Sequence, residues 1–179
     1  MQSTQSTSSA IAEQKEIQEG YFTVGAIKFS LMSLTTFGLY EVYWFYRNWQ
    51  VIKGREGPGL SPIGRAIFAP LWAISMGRRF NEQAKAEGIS LALPVISLGV
   101  VYFILTALWR LPDPYWLISA LAFVPLLPFE FAARRLNGRG QLAAPTFGRF
   151  SRWNIAWLVF GTLLLALGVW GTFFPVDTP

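Results

Sequence analysis

The chain has no cysteine and no histidine in 179 residues. The first absence removes disulfides, thiol nucleophiles and cysteine metal sites. The second removes imidazole haem ligation, the usual zinc sites and the side chain most used for proton transfer near neutral pH. Charge is scarce as well: 14% of residues are Asp, Glu, Lys or Arg, against about a quarter in soluble domains. The acidic residues number ten, lie mostly outside the apolar segments and do not cluster. A metalloprotease or a His-dependent hydrolase is therefore excluded for this chain alone, and neither an enzyme nor a bound cofactor is expected.

Hydrophobic residues fill the space: 53% of the chain, with a mean hydropathy of +0.37. They come in long runs rather than with a period of 2 or 3.6, which is the membrane signature. The net charge of +5 does not point to nucleic acid, because the Arg and Lys residues sit between apolar runs, as in loops facing an anionic leaflet. The opening "MQSTQSTSSAIAEQ" has no basic region followed by an apolar core and does not read as a cleavable signal. Residues 1–20 are expected to be a disordered polar tail, and 21–179 one transmembrane helical domain.

Four runs are long and apolar enough to cross about 30 Å of hydrocarbon: 29–46, 91–109, 115–131 and 153–174. A fifth, 61–80, starts with the Ser61-Pro62 helix-opening pair. It is interrupted by Pro70 and bracketed by Arg65 and Arg78-Arg79, so an amphipathic interfacial or re-entrant helix is expected there. The expected fold class is thus all-α: a polytopic membrane protein with four transmembrane helices and one interfacial helix. If 61–80 does not cross, the seven basic residues of 47–90 and the five of 134–152 share one side. The positive-inside rule makes that side cytoplasmic, with both termini outside.

The candidate site lies in "TTFGLYEVYWFYRNWQ", residues 35–50. Glu41 falls inside the first expected span, where a carboxylate costs roughly 2.5–3.5 kcal/mol and should be protonated, paired or facing a wet cavity. Tyr40, Tyr43, Trp44 and Arg47 form an adjacent stripe. Together they suit a small transporter in which Glu41 exchanges a proton for a cation and the rings supply cation–π contact. The blander reading is that Glu41 fixes packing and that Tyr43, Trp44, Tyr46 and Trp49 are an interfacial aromatic belt, as are Trp109, Tyr115, Trp116 and Trp153. Glu130, four residues before Arg134, is expected to form a helical ion pair. Pro125 and Pro128 are expected to kink the third span. Gly161, Gly168 and Gly171 offer close helix contact in the fourth, and Arg65, Arg78 and Arg79 offer contact with lipid head groups.

The stretch "KFSLMSLTTFGLYEVYWFYRNWQVIKGREG", followed by "SPIGRAIFAPLW" and "GRRFNEQAKAEGI", resembles a family of small, uncharacterised bacterial multi-pass membrane proteins. These carry a T-x-G-x-Y-x-x-Y-W-x-Y-[RK]-x-W pattern at the end of their first span. Here the pattern falls on Thr36, Gly38, Tyr40, Tyr43, Trp44, Tyr46, Arg47 and Trp49. The resemblance covers residues 28 to about 90 and implies the bacterial cytoplasmic (inner) membrane; it implies no activity, cofactor or catalytic residue. The function expected first is a non-enzymatic scaffold or accessory subunit contacting the lipid bilayer, another membrane protein or a second copy of itself. The alternative is a small cation- or proton-coupled transporter using Glu41.

Overall fold

The computed structural model describes residues 20–138 and 152–174. The expected polar tail before Gly20 and the loop carrying Arg139 and Arg149 lie outside these residues. The described residues are all-helical, with α1 Ala26–Thr35, α2 Leu39–Glu56, α3 Pro62–Ile67, α4 Ala69–Ala86, α5 Val95–Ala107, α6 Leu127–Asn137 and α7 Arg152–Phe173. Two stretches, 115–137 and 154–173, are long and apolar enough to cross a membrane.

The first expected span is not one helix. Phe37 (φ 51°) and Gly38 (φ 83°) are successive left-handed residues that reverse the chain, and the backbone amide of Gly38 bonds back to the Ser33 carbonyl at 3.0 Å. Thr36 Oγ1 then accepts from the Tyr40 amide at 3.0 Å, capping the new helix. The two halves fold into an antiparallel hairpin: Phe22 meets Tyr43 and Phe29 meets Trp44, at ring centroid distances of 5.5 and 5.6 Å. A Gly at 38, where φ is positive, is the local signal for that reversal.

The segment expected at 61–80 also breaks. Ser61 caps α3 as anticipated, its Oγ accepting from the Gly64 amide at 3.3 Å. Pro70 has no N–H for the Ala66 carbonyl, and the helix restarts at Ala69. α4 is amphipathic, as expected, and its apolar face packs into the protein. Its Ala69, Ala73, Met76, Gly77, Phe80 and Ala84 are buried, packed against α5 and α6. Small residues at 69, 73 and 77 let neighbours close in where lipid supplies no hydrophobic drive. A methyl group at Gly77 would lie 2.6 Å from both Phe129 and Val95, and one at Gly99 on α5 would collide with Ile74.

Between α5 and α6 the chain turns through Leu108–Arg110, Tyr115–Leu121 and Val124–Leu126, all 3-10 helix. Pro125 and Pro128 are part of the cause, because each removes an amide from the α ladder. The α-helix is thus confined to 127–137, six residues beyond the expected end of the third span.

One carboxylate ties the elements together. Glu130 is fully buried. Its Oε1 accepts from the amides of Val24 and Gly25 at 2.8 and 3.0 Å, and its Oε2 accepts from Trp44 Nε1 at 2.7 Å. The expected pair with Arg134 is present at 3.3 Å, but it is the smaller part of what Glu130 does. Two side-chain amides act alongside it on the extended strip 20–25. Asn137 brackets Tyr21 N–H and C=O at 2.8 and 2.7 Å, and buried Asn48 does the same for Phe22 at 3.1 Å each. Removing a partner from a buried charged network costs about 3–5 kcal/mol. Glu130→Ala should therefore unfold at markedly lower temperature in detergent, read by tryptophan fluorescence. An unchanged midpoint would refute the role assigned to it.

Candidate functional site

The α1–α2 reversal sets Glu41 in the first turn of α2, where a carboxylate meets the positive end of the helix dipole. Glu41 is 5% exposed and hydrogen-bonds the Tyr102 hydroxyl on α5. Among the described residues no basic side chain lies within ion-pair distance of it. Tyr102 is itself locked, 2% exposed and stacked on Phe45 with centroids 5.9 Å apart and planes 8° off parallel.

Glu41 lines a cavity of about 400 Å³. The walls come from the end of α1, the start of α2, the α3–α4 break, α5 and the 3-10 segment after it. Phe37, Trp109 and Trp116 give aromatic surface; Ser33, Thr106 and Ser119 give hydroxyls. Ser33 Oγ is buried without a hydrogen-bond partner. The left-handed turn at Phe37-Gly38 borders the same space. Among the described residues no group of three His, Cys, Asp or Glu is placed to hold a metal ion.

Of the residues expected beside Glu41, none shares its cavity. Tyr40 and Tyr43 face a separate apolar cleft against α7, together with Trp157 and Phe160. Trp44 is a core side chain bonded to Glu130. Arg47 lies over the Phe22 ring at 5.0 Å and donates to Tyr43 Oη at 3.2 Å. The belt expectation is corrected in part: Trp44 and Trp49 are 0% exposed, so they are core rather than boundary residues. Tyr43, Trp109 and Tyr115 are exposed; the Trp153 side chain lies outside what is described.

The expected head-group arginines also divide. Arg79 is held by Glu56 through Nε and Nη2 at 2.6 and 2.9 Å, and that pairing raises its pKa further. Arg78 is exposed, and Arg65 is stacked on tryptophan. Sequence reasoning missed Tyr102 and Thr106, polar residues one helical turn apart in an otherwise apolar run; that i, i+4 spacing was the available signal.

No protein-family model, curated protein or solved structure matches this chain. Chemically, a buried carboxylate with hydroxyl neighbours and aromatic walls can exchange a proton for a monovalent cation. The absence of native cysteine makes access to the cavity measurable. Ser33→Cys should react with a cationic methanethiosulfonate, whereas Ala73→Cys, in the packed core, should not. Equal protection of both would mean that the cavity is closed.

Proposed function

We propose that the chain is an integral membrane protein that binds a compact, apolar monovalent cation in the Glu41 cavity and couples it to a proton. The carrying observation is that a carboxylate lacking an ion-pair partner among the described residues lines a partly open, mostly apolar cavity with aromatic side chains in its wall and a partnerless Ser33 hydroxyl. The reading as a non-enzymatic scaffold rests on exposed apolar side chains such as Leu163, Leu167 and Trp170, which lipid covers equally well.

A membrane topology accompanies this reading. Tyr21, Arg55, Gln83 and Asn137 meet at one end of the molecule, close to the Glu56–Arg79 pair. Residue 20 and residue 138 therefore leave the bundle together, at the end rich in basic residues, which the positive-inside rule makes cytoplasmic. This reading puts the N-terminal side opposite to the one expected from sequence. α7 supplies a ruler. Its 22 residues measure about 33 Å at ~1.5 Å per residue. Gly161, nine residues along, touches the Thr35 carbonyl so closely that a methyl group would clash. Thr172, near the far end, approaches Trp116 Nε1 at 3.3 Å. The α5 excursion thus supports a full crossing and return, while the α1–α2 hairpin supports a re-entrant loop turning about 14 Å in, near mid-bilayer. The count becomes three crossings and two re-entrant loops, the second at the α3–α4 break, rather than four crossings and one interfacial helix.

In proteoliposomes, tetraphenylphosphonium binding should release protons from the wild type, detected by a pH-sensitive dye. Glu41→Gln should lower binding at least tenfold and abolish the release. Wild-type behaviour in that variant would overturn the reading.

A further inference from the structure

We propose that the cluster Trp49–Arg65–Trp72, in which a partly exposed Arg65 is held between buried Trp49 and exposed Trp72, binds the phosphodiester of an anionic phospholipid. The Arg65 guanidinium lies over the rings of both tryptophans, at 4.4 Å from the Trp49 centroid and 4.3 Å from that of Trp72. Stacking holds its plane but satisfies none of its N–H groups. Arg65 Nη1 is buried without a hydrogen-bond partner, and so is the indole Nε1 of Trp49. Both unmet groups are donors, so the missing component is an acceptor.

Among the described residues none supplies that acceptor. The nearest candidate, Glu56, is taken by Arg79 in a two-pronged ion pair, and Arg79 also donates to Ser75 Oγ at 2.6 Å. Among the described residues Arg65 makes no ion pair. A planar guanidinium held on its faces leaves its edge to a phosphate, the geometry in which arginine exceeds lysine.

The apolar surroundings choose between a lipid and a free anion. Phe68, three residues beyond Arg65, and Leu71, the residue before Trp72, are each about 60% exposed. They give acyl chains apolar surface near the cation, whereas inorganic phosphate would leave that surface bare. This site does not depend on Glu41 or its cavity.

The test is native mass spectrometry of the full chain released from nanodiscs containing equal phosphatidylglycerol and phosphatidylcholine. The wild type should retain one phosphatidylglycerol in clear excess. Arg65→Gln should lose it at least tenfold, Arg65→Lys should lose it partly, and Arg78→Gln, at an exposed position, should retain it. Trp72→Leu removes one face of the stack at an exposed site and should also weaken retention if Arg65→Gln does not fold. Undiminished retention in Arg65→Gln or, should that variant not fold, in Trp72→Leu, or equal retention of phosphatidylcholine, would overturn the proposal. So would stabilisation by inorganic phosphate as strong as that by phosphatidylglycerol.

Discussion

The bundle depends on the acceptor capacity of one buried carboxylate. Residues 20–25 run extended before α1 and have no helical ladder to satisfy their amides, yet Val24 and Gly25 are buried. Unpaired backbone groups in such a place are costly. Glu130 takes both amides and reaches Trp44 with its second oxygen, so a segment from each of three separate parts of the chain meets at one residue. Arg134 balances the charge at 3.3 Å. The angle at which α1 enters, and with it the position of its reversal, follows from this junction.

That reversal decides what becomes of Glu41. Were 29–46 one straight helix, the carboxylate would sit on a wall facing lipid or a neighbouring helix. Turning at Phe37-Gly38 instead puts Glu41 in the first turn of a new helix, with its carboxylate buried beside Tyr102 and across from the α3–α4 break. Two chain breaks and a long 3-10 segment border one cavity. Each has a local cause, a left-handed glycine or a proline. Non-helical backbone and polar side chains share the space because each would be penalised elsewhere.

Much of this was legible in the sequence, and what was missed has physical reasons. The helical class, the Ser61 cap and the Glu130–Arg134 pair follow from local chemistry. So does the close contact at Gly161, although Gly171 meets nothing within 4 Å. Hydropathy averages over a window and cannot tell a helix that crosses from a hairpin of two shorter ones with the same composition. Thr36 and Gly38 were visible, but as part of a pattern rather than as a reversal. The aromatic stripe misled for a related reason: Trp44 and Trp49 share composition with boundary residues, and only tertiary packing turns them inward. Glu130's partners Val24, Gly25 and Trp44 are over 80 residues distant in sequence, beyond any local pattern.

The half-depth proposed for the α1–α2 hairpin joins the fold to the proposed cation site, and that depth can be measured directly. A single nitroxide at Phe37→Cys, half exposed at the tip of the turn in a chain without native cysteine, reports its own immersion. Collision rates with oxygen and with a polar nickel chelate in lipid vesicles should give a depth near the bilayer centre. A label at head-group depth on the side opposite the basic loops would contradict the re-entrant hairpin, and with it the placement of Glu41 at mid-membrane.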